Sequence, residues 1–201
     1  MLLLLSIAGV VSFQFGLYFL LPVSFWILIS VLAPFFDMPG LINSGKMKYQ
    51  SSLMISEKEK NKQIVIHGGT LFDYYFVLDK EHSPKQRKNF ILLEYLNGLL
   101  NLIDSRQDDL ELKIKGTTYI LNERTAEKIG FEIQETDTVQ QIILIMNYPN
   151  LLVTKSFAMK KISFPRLNKT STYLADIADL KKNRNKIEQI RNILKNKIEA
   201  F

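Results

Sequence analysis

The first 36 residues, MLLLLSIAGVVSFQFGLYFLLPVSFWILISVLAPFF, contain no Asp, Glu, Lys, Arg or His, and every charge in the chain lies from Asp37 onward. Few environments accept such a run. A membrane crossing needs about 20 apolar residues to pass roughly 30 Å of hydrocarbon. As one straight helix the run would reach about 54 Å, too long for a single crossing. Leu, Ile, Val and Phe make up 22 of these residues, each favouring mid-membrane insertion by roughly 0.3 to 0.6 kcal/mol. The run lacks the basic start of a signal peptide and exceeds its apolar core of about 7–15 residues. No side of it is polar enough to face water around a soluble core. Residues 1–36 are therefore expected to be a membrane anchor. Pro22 divides them, and proline sits well only in the first turn of a helix. This predicts a helix, a break near Leu21–Ser24, and a shorter second helix: a transmembrane helical hairpin or a re-entrant pair.

The net charge of +6 and the pI near 9.3 thus belong to residues 37–201. Lys46, Lys48 and the run EKEKNKQ are the first basic residues after the anchor. Positive segments stay on the cytoplasmic side, so the domain is expected on the cytoplasmic face of a bacterial-type inner membrane. The chain has no cysteine, which excludes disulfides, a thiolate nucleophile and a Cys-ligated metal.

The remainder reads as a mixed α/β (α+β) domain, a small sheet covered by helices. Residues 37–61 form a connector rich in turn formers, with a short strand within KMKYQSSLMIS. Residues 62–168 carry the domain proper. KQIVIH is a strand, and Thr70 caps a helix with Asp73 three residues on, although TLFDYYFVL also suits a strand. Ser83-Pro84 starts a helix running to about Ser105. LELKIK and TTYIL are extended, Asn122 opens a short helix closed by Gly130, and FEIQ is a strand. Asp137 or Thr138 caps an apolar helix ended by Pro149, and a second apolar piece follows. Residues 169–201 are expected to be a long amphipathic helix from about Thr172, striped by Leu180, Ile187 and Leu194 at intervals of seven.

The stretch IVIHGGT, residues 64–70, is the densest concentration of chemistry-bearing types. His-Gly-Gly after a strand looks like the oxyanion segment of lipases and esterases. That fold also needs a Gly-x-Ser-x-Gly nucleophile elbow, and the chain has none. ILNERTAEKIGFEI, residues 120–133, faintly resembles the end of GNAT-type acetyltransferases, but lacks their Tyr acid and their phosphate loop. A plainer reading gives Gly68 and Gly69 a positive-φ turn and His67 a strand-end position. Asp73 lies among Phe72, Tyr74, Tyr75 and Phe76, where a carboxylate can work as acid or base, or can simply cap a helix. Gly68, Gly69 and Thr70 are anion-contact candidates if Thr70 begins a helix. His67 and His82 show no metal-ligand spacing, so no metal and no cofactor is expected. The mixed charges of the last helix lack any nucleic-acid signature, and no nucleic-acid partner is expected.

Two segments join basic residues to apolar helices. Lys85, Arg87 and Lys88 precede one, and Lys155, Lys160 and Lys161 follow another. An apolar face with a basic rim suits contact with anionic lipid, although both helices would equally serve as core. The preferred reading is a membrane-anchored basic domain with a binding or assembly role at the inner leaflet. Its partners would be membrane lipid and a protein, or a second copy, docked through Leu180, Ile187 and Leu194. The alternative is a membrane-bound enzyme acting on lipid or lipid-linked substrates, which requires His67 and Asp73 to converge.

Overall fold

The computed structural model describes residues 2–106, 109–118 and 121–199. Helix α1 (Leu2–Phe15) ends at Gly16, whose φ of +67° only glycine adopts without strain. Helix α2 (Leu20–Asn43) packs against α1 and continues past the charge-free run. The break therefore falls at residues 16–19 and not at Pro22. Pro22 sits in the first turn of α2, where its missing N–H has no partner to lose. Helix α2 is the one described helix long and apolar enough to cross a membrane, and 6% of its apolar window is buried.

The expected connector over 37–61 is ordered. DMPGLIN completes α2, and Gly45, again at φ +67°, closes it while the Lys46 N–H reaches back to the Leu41 carbonyl at 2.9 Å. Strand β1 (Met47–Ser51) begins at once and pairs with β2 (Met54–Glu57), which pairs with β3 (Gln63–Gly68). The β2–β3 turn places Asn61 and Lys62 at φ 53° and 57°, the mirror-image turn that matches strand twist. Then come α3 (Leu71–Val77), α4 (Pro84–Ser105), β4 (Lys113–Thr118), α5 (Glu123–Ile129) and β5 (Glu132–Gln134). Helices α6 (Thr138–Met146) and α7 (Tyr148–Met159) lead to β6 (Ser171–Asp176), α8 (Ile177–Lys182) and α9 (Arg184–Glu199).

The six strands form one mixed sheet in the order β1-β2-β3-β4-β6-β5, in which only β3 and β4 are parallel. That parallel pair is why α3 and α4 lie between them in sequence, since parallel neighbours need a crossover. Met54, Ile64, Ile114, Tyr173 and Ala175 point to one face and pack on Leu96, Leu99, Leu100 and Ile103 of α4 and on Ile177, Leu180 and Ile187. Gly98 lets α4 approach β2 closely, because a Cβ there would stand 2.5 Å from the Met54 sulfur. The other face carries the more exposed Glu57, His67, Lys113, Lys115 and Glu132. Helices α4, α8 and α9 cover the first of these faces.

The expected long C-terminal helix is three elements. Residues 171–176 form β6, whose Tyr173 and Ala175 enter the core, and Asn183 separates α8 from α9. Leu180, Ile187 and Leu194 are 0%, 0% and 7% exposed, committed to the core beside α4. A partner could reach that stripe only if α9 left α4.

Candidate functional site

The corner between β3 and α3 sits at the carboxyl end of the parallel strand pair, where sheets of this kind often place ligands. Its backbone differs from expectation. Neither Gly68 nor Gly69 has a positive φ. Both are small because of close approach. A Cβ on Gly68 would lie 2.4 Å from the Tyr95 hydroxyl, and one on Gly69 would meet Asp73 at 3.1 Å and the Leu53 backbone at 3.3 Å.

Thr70 caps α3 in a full capping box. Its hydroxyl accepts the Asp73 N–H at 3.3 Å, and the Asp73 carboxylate accepts the Thr70 N–H at 2.6 Å. The other Asp73 oxygen accepts from the Tyr49 hydroxyl of β1 at 2.9 Å. Burial, reinforced by this carboxylate, pushes the Tyr49 phenol well above its usual range. His67 turns elsewhere: its Nε2 lies 2.7 Å from Oε1 of Glu57 on β2, both side chains about two-fifths exposed. The two groups an enzyme at this corner would combine are thus bonded to different partners. At the start of α3 the Asp73 carboxylate already takes the Thr70 N–H.

Behind Gly68, on the core side, lies a pocket of about 70 Å³ lined by Ile66, Tyr95, Thr117, Leu121 and Tyr173 among others. Burial raises both its tyrosines above the ordinary phenol value, with the Tyr95 hydroxyl 3.4 Å from that of Tyr74 and Tyr173 donating to the Leu121 carbonyl at 2.9 Å. Its polar groups are largely used up inside the protein. Among the described residues no cluster of three or more His, Cys, Asp or Glu could hold a metal ion.

The basic candidates divide. Arg87 is 3% exposed and donates to the carbonyls of Asp79, Phe157 and Lys80, with its guanidinium over the Phe157 ring. It ties α4 and α7 together and presents nothing to lipid. Lys155 donates to the Phe164 carbonyl at 2.9 Å and Lys160 to the Lys80 carbonyl at 2.6 Å. Lys85, Lys88, Lys160 and Lys161 are at least partly exposed. Helix α4 beyond its first turns is core. Helix α6 is not: it has no buried residue, and its apolar side chains stand outside the domain.

Sequence reasoning missed Tyr49, Glu57 and Tyr95 because each reaches the corner through strand register or helix packing. It also missed Trp26. The indole N–H of Trp26, on α2, donates to the Met146 carbonyl at 3.1 Å, while Phe35 of α2 stacks on Phe72 of α3 at 4.4 Å. A lone Trp in an apolar run was the signal to follow, since its N–H seeks an acceptor. Comparison with protein-family models, curated proteins and solved structures finds no match.

Proposed function

We propose that this protein is a membrane-anchored domain held flat against the cytoplasmic leaflet of the inner membrane, with a binding or assembly role there. The anchor is the α1–α2 pair, acting as a hairpin. One observation carries the reading: only Ser44, Gly45 and Lys46 separate the apolar α2 from β1. A three-residue link spans at most about 11 Å, so the sheet stays next to whatever α2 enters. The Phe35–Phe72 contact removes even that freedom. Lys46, Lys48, Lys58, Lys60 and Lys62 follow within the distance over which positive residues hold a segment in the cytoplasm.

The test is carbonate extraction together with sidedness. The full chain is expected to stay in the membrane pellet at alkaline pH. Because the chain lacks cysteine, Lys128→Cys, at an exposed position of α5, provides a unique label site. It should react with an impermeant maleimide in inverted vesicles and not in intact cells. Release by carbonate would remove the anchor, and labelling of intact cells would reverse the side.

A further inference from the structure

We propose that α6–α7 is a second membrane element, a bent helix pair that dips into the leaflet α2 crosses, its occupant being lipid acyl chain. The inference rests on the anchored reading above and extends it.

Helix α6 exposes Val139, Ile142, Ile143, Ile145 and Met146 by 67, 55, 45, 55 and 55%. No charged residue occurs from Thr138 to Thr154. Such a surface on a water-facing helix is the signature of an interaction site, and three features say what covers it. The first is continuity: Trp26 of α2 touches the far end of α6, so the exposed face adjoins that of the candidate span.

The second is the treatment of the bend. Helices α6 and α7 meet at 67° around Asn147. A break of this kind strands carbonyls, which water would satisfy outside a membrane but only protein can satisfy inside one. Here the Asn147 N–H and side-chain amide both donate to the Ile143 carbonyl, at 3.0 and 3.1 Å, and the Trp26 indole takes the Met146 carbonyl.

The third is depth. Trp26 precedes Phe35 by nine positions, about 13 Å of helix, and Phe35 marks the domain surface at Phe72. The tip of the pair therefore reaches about half of the roughly 30 Å hydrocarbon layer. Charge returns towards the two ends of the pair: Asp137 meets Lys115 at 3.6 Å before α6, Lys155 in the second half of α7 donates to the Phe164 carbonyl at 2.9 Å, and Lys160 and Lys161 lie at the surface after α7.

The absence of cysteine makes the test direct. Spin labels are placed singly at Ile142→Cys and Ile145→Cys on α6, Ile29→Cys on α2 and Glu127→Cys on α5. The full chain is reconstituted in phosphatidylcholine–phosphatidylglycerol bilayers, and collisions with oxygen and with a water-soluble nickel chelate are compared. All four sites are exposed, so the labels disturb no packing. Residues 142 and 145 are expected to group with 29, their oxygen-to-chelate ratio several-fold above that of 127. If they group with 127 while 29 remains lipid-facing, the proposal is overturned and the anchor stands. Exclusion of both colliders at 142 and 145 would mean a protein partner or second copy covers α6, which also overturns it. If 29 itself groups with 127, the anchored reading fails and takes this one with it.

Discussion

Gly68 shows how one residue's identity is set by a neighbour distant in sequence. The Tyr95 hydroxyl occupies the space a side chain would need, and it is carried on a rigid ring packed against the core. Gly68→Ala is expected to destabilise the fold by about 1–3 kcal/mol, the usual range for overpacking. Tyr95→Phe in the same chain removes the clashing oxygen and should recover part of the loss. Thermal unfolding of both variants and the double variant in detergent checks this, and strictly additive losses would refute the contact. His67-Gly-Gly is conspicuous in the sequence, yet its reason is not legible there. The glycines answer to packing and not to a turn.

At the scale of elements, α9 carries a sequence pattern that packs within the same chain. Its apolar stripe at intervals of seven is real, but α4 of the same chain buries it. Arg184 bonds to Asp104 at 3.1 Å on the rim of that packing. Ile187→Ala is expected to cost about 2–5 kcal/mol, as for a fully buried isoleucine. Ile193, 53% exposed on the same helix, should cost less than about 0.5 kcal/mol on the same change. Equal melting temperatures for the two variants would show that α9 does not dock as described. The converse holds for α4, whose basic first turns suggested a lipid rim: its Arg87 is buried against three carbonyls.

Across the whole molecule, three carboxylates at separate junctions are held below their ordinary range. Asp104 is lowered by its hydrogen bond to Arg184, Glu111 by Lys62, and Asp137 by the Gln140 N–H and then by Lys115. Their folded values lie below their unfolded ones. Their stabilisation is therefore fully present above the unfolded carboxylate value of about 4 and is lost as pH falls through the folded values. The melting temperature should be level near neutrality, drop below about pH 4, and drop less steeply in Asp104→Asn. High salt should shrink the effect, because all three pairs are solvent-exposed. A curve for Asp104→Asn that superimposes on the parent at every pH would exclude the Asp104–Arg184 contribution.

Local chemistry makes several features readable from the residues alone. The charge-free run from 1 to 36, the Thr70 and Ser83 caps, the Gly130 stop and the Asp137 start are each decided within a few residues, by desolvation or by a single backbone hydrogen bond. The sequence by itself therefore determined an apolar segment at the N-terminus, a mixed α+β domain after it, and most helix beginnings. The tertiary structure alone decided what depends on partners far along the chain. Helix α2 continues to Asn43 because it packs on the domain, residues 171–176 become a strand because β4 and β5 pair with them, and the His67–Asp73 corner divides between Glu57 and Tyr49. The physical reason is the same throughout: caps and desolvation act over one helical turn, whereas register and packing bring together groups tens of residues apart.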